Sequence, residues 1–137
     1  MPKLDFAFLA DAAEAEPGRK FYVLGGGVDS IGAQAFPVVH PHLALLIRVL
    51  VHPTESERSH TLEIRLIDDD GHELARMEGN FQAAGGPPGR ELPMNISLAV
   101  SNIRFERPGD YSIELLLDNQ HVKSLPLRLY QVEQPAG

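Results

Sequence analysis

Cysteine is absent from this chain of 137 residues. That excludes a disulfide framework, a thiolate nucleophile and a cysteine-ligated zinc, and gives no sign of an oxidising compartment. Basic residues are few and scattered. Twelve Lys and Arg against 19 Asp and Glu leave a net charge of −7, and Arg19–Lys20 is the one adjacent basic pair. A polyanion is held mainly by clustered Lys and Arg, so the composition speaks against nucleic-acid binding. Long apolar runs are missing as well. The longest, HLALLIRVLV at 42–51, holds Arg48 and falls short of the roughly 20 residues that a membrane span needs. The first residues are interrupted by Asp5 and Asp11 before an apolar run develops, which makes a poor signal peptide. The expectation is a cytoplasmic protein that contacts neither membrane nor nucleic acid.

What is present is an ordinary globular composition, 43% hydrophobic and 23% charged. At this length one domain over 1–137 can bury roughly two-thirds of the surface its unfolded chain exposes. The chain reads as strands separated by Gly, Pro and Asp turns, the pattern of a sandwich or barrel and not of alternating βα units. Residues 3–10 alternate with Leu4, Phe6 and Phe8 on one face, and 11–16 have the composition of a helical turn ended by Pro17-Gly18. KFYVLG at 20–25 is expected to pair with 3–10 as a hairpin. Leu43, Leu45, Ile47, Val49 and Val51 define a core face, as do Leu62, Ile64 and Leu66 in 61–68. Asp70-Gly71 is a tight-turn dipeptide leading into a strand at about 73–82. AAGGPPGRELP at 83–93 has a mobile loop's composition. Alternation resumes with Met94, Ile96, Leu98 and Val100, then with Tyr111, Ile113, Leu115 and Leu117. A turn at Asp118-Asn119 leads into a last strand, 121–130, where Pro126 marks an edge or an irregularity.

RPGDYSI at 107–113 resembles a tyrosine corner, in which a turn enters a strand whose inward tyrosine precedes a core residue by two positions. Ile113 stands where immunoglobulin domains carry a core cysteine. The fold class expected is therefore all-β, an immunoglobulin-like antiparallel β-sandwich of about seven to eight strands.

Three glycines in YVLGGGVDSIG invite a phosphate-binding reading. The dinucleotide fingerprint fails because Ser30 stands at its third glycine, and Ala33-Gln34 replaces the Lys-Ser/Thr that a phosphate loop requires. Phe36-Pro37 follows too soon for a helix. A bulge or strand exit using positive φ is the reading left.

Five of the six histidines lie between 40 and 72: His40, His42, His52, His60 and His72. His40-Pro41-His42 puts two imidazoles on one face of an extended segment, half of a zinc or copper site. If 43–51 and 61–68 pair as antiparallel neighbours, Arg48 faces Glu63, and His52 and His60 point to opposite faces beside a polar loop that suits solvated histidines. His72 is left as the third ligand. The candidate metal residues are thus His40, His42 and His72, for a divalent transition metal. Asp68-Asp69-Asp70 lacks the spacing of a calcium loop and is explained by a hairpin turn. SERSH at 56–60 gives no triad, because triad partners meet in space and not in sequence. No catalytic constellation is found.

FLADAAEAEPGRKFYVLGGGVDSI, FPVVHPHLALLIRV and MNISLAVSNIRFERPGDYSIELLLDN together resemble a family of small bacterial proteins of unknown function. The likeness spans Leu4 to Leu129 and is carried by Leu9–Asp11, Gly25–Gly27, His40–His42 and Pro108–Tyr111. It implies a bacterial origin and a compact immunoglobulin-like β-sandwich, and brings no activity, cofactor or catalytic residue. The reading that follows is a non-enzymatic cytoplasmic binding or assembly module, with a protein partner or a homo-oligomer formed through an edge strand. The rivals are a metal-binding protein or metal-dependent enzyme using His-Pro-His, and a small-ligand carrier with its site between the sheets.

Overall fold

The computed structural model describes residues 2–16, 20–83 and 88–133. Nine strands run in chain order: β1 Lys3–Ala15, β2 Phe21–Gly26, β3 Ser30–Ala33, β4 Val38–Val51, β5 His60–Ile67, β6 Glu73–Phe81, β7 Leu92–Phe105, β8 Gly109–Leu117 and β9 Gln120–Gln131. One 3-10 turn, Pro53–Glu55, is the only helical element among the described residues. None of these elements is a helix long and apolar enough to cross a membrane.

The strands form two sheets, ordered β2-β1-β4-β7 and β3-β9-β8-β5-β6. Alternation explains how they meet. Leu43, Leu45, Ile47, Val49 and Val51 of β4 face Leu62, Ile64 and Leu66 of β5 and Ile113, Leu115 and Leu117 of β8 in one buried core. The fold is therefore an all-β two-layer sandwich. It has nine strands, and β3 runs parallel to β9, pairing Ser30 with Arg128 and Ala33 with Gln131. The expected antiparallel sandwich of about seven to eight strands is found, with nine strands and with β3–β9 as the one parallel pair among the described residues.

β4 and β5 lie in different sheets, so the expected Arg48–Glu63 pair does not form. Arg48 instead bonds Asp5 at 3.1 Å and Asn95 at 3.0 Å, while Glu63 accepts from Arg65 and Arg76. Alternation identifies which face of a strand is buried but not which strand lies beside it.

β1 departs furthest from its sequence pattern. A register shift between Leu4 and Phe6 sends Leu4 to the core with Ala7, and turns Phe6 and Phe8 to the outer face. Residues 11–15 continue as strand, not a helical turn, because β2 pairs with them from Ala12↔Leu24 to Ala15↔Phe21. The hairpin then folds back over the sheet. Phe21, opposite Ala15, has its ring 6.1 Å from Phe6, which stands opposite Arg48. A second apolar layer results, in which Phe8, Ala13 and Phe21 cover the fully buried Ala10, Ala44 and Leu46. Gly25 and Gly27, with φ of +64° and +88°, release the chain from β2, and the N–H groups of Gly27 and Val28 donate to the Leu9 carbonyl. The glycine run is thus a strand exit.

Pro126 is accommodated in β9 because β3 begins to pair only at Arg128, so the missing N–H falls where β9 has β8 alone beside it. The loop expected at 83–93 lies partly outside the described residues.

Candidate functional site

The β7–β8 connection and the β5–β6 turn meet at one end of the sandwich. Tyr111, buried at the start of β8, donates its hydroxyl to the Arg107 carbonyl at 2.7 Å and sets its ring edge-on to Phe105, 5.0 Å away. Burial pushes the Tyr111 phenol up, against the lowering effect of the nearby Arg107. The bond fixes the backbone from which Arg107 reaches the acidic turn. Its guanidinium lies 2.5 Å from Asp70, 3.1 Å from Asp69 and 3.8 Å from Asp68. Asp68 in turn accepts from the N–H groups of Asp70 and His72 at 3.0 and 2.8 Å. Desolvation works to raise the Asp68 pKa, but those bonds and the His72 charge outweigh it and hold the carboxyl below its ordinary range.

Asp68, Asp70 and His72 have donor atoms within 4.8 Å of one another, the one such group of three among the described residues. His72 therefore joins the acidic turn. His40 and His42 do not: they lie in β4 opposite Ile103 and Ser101 of β7 and are outside that group. Two carboxylates and an imidazole are a donor set that suits a divalent cation. Here, however, a guanidinium already lies against both carboxylates, so the arrangement closes a turn electrostatically.

Two other polar clusters bear on chemistry. On the outer face of the five-stranded sheet, His121 Nε2 meets Glu114 Oε2 at 2.5 Å and Ser124 Oγ at 3.0 Å, and the serine hydroxyl also donates to Glu114. Ser, His and Glu are all present, but a proton relay requires the serine and the carboxylate on different imidazole nitrogens. Here both crowd onto Nε2, and the serine gives its proton to the carboxylate. The cluster is a surface hydrogen-bond network.

His60 was expected in solvent and is buried at 5% exposure. Its Nδ1 lies 2.9 Å from Asp118 and its Nε2 2.8 Å from the Glu55 carbonyl. Both partners accept, so both nitrogens donate and the ring carries charge. Burial alone would lower its pKa, but the Glu55 bond together with the bond and charge of Asp118 raises it. Asp118, despite its own desolvation, is lowered by bonds from the Thr61 N–H and from His60. The missing signal is distance along the chain, since the partner of His60 stands 58 residues away. His52, by contrast, is exposed, and it caps the 3-10 turn by accepting from the Thr54 N–H.

The remaining feature is an edge. Four strands border the two sheets: β2, β7, β3 and β6. β3 has four residues and β2 has six, the latter ending in glycine. β6 carries Glu73, Arg76 and Glu78. Short length and charge are devices that keep an edge from pairing with another chain. β7 has neither: it is 14 residues long, and from Leu92 to Ile103 it contains no charged residue. Its core-side residues Met94, Ile96, Leu98 and Val100 are only half-buried, because Ala75 and Gly79 on β6 leave the seam between β6 and β7 thin. A Cβ added at Gly79 would meet nothing within 4 Å. Two apolar clefts open along this seam. One, of about 160 Å³, is lined by Leu62, Ile64, Met77, Phe81, Ile96 and Leu98. The other, of about 70 Å³, reaches Val100 and Ile103. Neither approaches the roughly 300 Å³ at which small-molecule pockets begin. The sequence reveals β7 as a strand; its edge status depends on which strands pair, which no local pattern records.

No curated protein matches the chain. Among solved structures, it is similar to an alkylpurine DNA glycosylase, AlkC, from Pseudomonas fluorescens, bound to DNA containing an abasic site analogue. That match has a TM-score of 0.49 and 11% identity, and covers 94% of this chain but only 30% of the glycosylase. The family model that matches covers residues 5–130, nearly all the strands described above, and the chain belongs to that family, the Family of unknown function (DUF6941).

Proposed function

We propose that the protein is a non-enzymatic binding or assembly module of the cytoplasm, built on an immunoglobulin-like sandwich, and that it engages a protein partner through β7. The strand orders β1-β4-β7 and β6-β5-β8-β9 correspond to the A-B-E and C′-C-F-G orders of immunoglobulin sheets, and the Tyr111 bond corresponds to the tyrosine corner. The reading is carried by one observation, the long uncharged edge of β7 beside an apolar seam. An added strand would extend the four-stranded sheet beyond β7 and set its alternate side chains over the seam.

The experiment is site-specific photo-crosslinking in cells that express the protein. A photoreactive residue replaces Ala99, exposed on β7, or, as a control, Lys123, exposed on β9 of the other sheet. Protein adducts formed from position 99 and not from position 123 are expected. Equal yields at the two positions would overturn the reading.

A further inference from the structure

We propose that the strand added to β7 is the β7 of a second copy of this chain, paired antiparallel so that the two four-stranded sheets become one. The inference rests on the binding reading above and names its partner.

Three observations select a second copy. The first is charge. Each copy carries −7, which repels another copy over most of the surface, yet β7 is uncharged from Leu92 to Ile103. Like charges directly opposite each other destabilise a strand pair, and a two-fold axis through the middle of β7 brings none together.

The second is self-complementarity of the two faces. In antiparallel pairing, directly opposed residues share a face, so an axis at Leu98 sets Leu98 against its counterpart and Ile96 against Val100. On the outer face the same axis sets Ser97 against Ala99 and Asn95 against Ser101. Apolar meets apolar from Ile96 to Val100, the outer-face pairs are all uncharged, and only Met94, which falls opposite Asn102, is mismatched. An axis at Ser97 keeps apolar opposite apolar, because Met94 to Val100 alternates without a break.

The third is the seam. The partner's Met94, Ile96 and Leu98 would point to the same side as their own counterparts, which is the side of Met77, Gly79 and Phe81 on β6. The small residues of β6 that leave the cleft thin give these side chains room. A β7 from the same chain thus supplies the apolar alternation that the seam lacks.

The test is sedimentation of the full chain from about 1 to about 200 μM, since a dimer must respond to concentration by mass action. The wild-type mass is expected to rise from 15.0 kDa toward twice that value. The double variant Ser97→Lys/Ala99→Lys sets lysine against lysine with the axis at either residue. It should weaken association roughly tenfold while remaining folded by circular dichroism. The companion Ser97→Glu/Ala99→Glu should do the same, and an equimolar mixture of the two should restore dimers. That recovery separates lost pairing from misfolding.

A wild-type chain that stays monomeric overturns the proposal. So does a dimer that the lysine variant leaves intact, or one that the mixture fails to restore. If the chain is monomeric while crosslinks from position 99 go to a different protein, the second copy is wrong and the binding reading stands. If neither dimer nor crosslink forms, both fall.

Discussion

The two outer faces of the sandwich solve the same problem by opposite means. On the five-stranded sheet, Glu63 is nearly buried yet charged, gripped by Arg65 at 3.1 and 3.2 Å and by Arg76 at 2.6 Å, with Glu73 completing the ladder. On the four-stranded sheet the same layer is apolar. Leu46 and Ala44 are fully buried, because the β1–β2 hairpin lays Phe8, Ala13 and Phe21 over them. One face is finished by ion pairs in contact with water, the other by a fold of the chain's own terminal strand. The difference teaches that β4 is interior on both sides, whereas β5 is interior on one and has its polar side sealed by salt bridges.

The largest effect should come from opening the apolar face. Leu46→Ala removes a side chain with no exposure and should cost roughly 3 kcal/mol, about 10 °C in melting temperature for a domain of this size. Thermal denaturation followed by circular dichroism measures it. A loss no greater than that of an exposed alanine substitution would mean that the hairpin is no true second layer.

His60 sharpens the comparison, since it is a buried polar side chain whose partner, Asp118, keeps its carboxylate partly exposed at the edge of the core. His60→Gln should cost roughly 2 kcal/mol, because it removes a charge-assisted bond at a buried site. The pH dependence carries the sign. The folded pKa of His60 is raised above its ordinary 6.5, so the stability it contributes is full below that value and is lost as pH rises through the folded pKa. The folded pKa of Asp118 is lowered from 3.8, so its contribution is full above that value and is lost as pH falls through the folded pKa. Wild-type stability should therefore fall on the alkaline side of 6.5, and His60→Gln should flatten that limb. Denaturant titrations at stepped pH would show it, and parallel profiles for the two proteins would remove the charge from His60.

The smallest effect is expected on the charged face. Glu63→Gln should cost about 1 kcal/mol, since both arginine partners are partly exposed and keep access to water. Added salt should shrink this difference and leave that of Leu46→Ala unchanged. Equal salt responses would erase the distinction between the two faces.

The strands themselves were legible. Alternation identified the buried faces of β4, β5, β7 and β8, and Pro-Gly followed by Tyr111 announced the hydroxyl bond that the structure contains. Pairing was not legible. Arg48 and Glu63 looked complementary, but Asp5 and Asn95 satisfy the first, and Arg65 and Arg76 the second. The bulge in β1 defeated the expectation of a shared face for Leu4, Phe6 and Phe8, because one shifted residue inverts every side chain beyond it. Of the metal candidates, proximity in sequence suggested His40 and His42, while the turn drew His72 to Asp68 and Asp70. The glycine turn and the Leu9–Asp11 segment looked like separate motifs. They are one unit, since Leu9 accepts from Gly27 and Val28, and the Asp11 carboxylate packs against Gly25.

The folded-back hairpin also sets an order of events during synthesis. β1 and β2 are complete once residue 26 has emerged, yet the surface they cover belongs to β4, which ends at Val51. At ribosomal rates those 25 residues (51 − 26) take about 1 to 5 s. Through that interval Phe8 and Phe21 lack the Ala44 and Leu46 surface of β4 that they cover in the folded domain, so the aromatic side of the hairpin is made before the layer it belongs against.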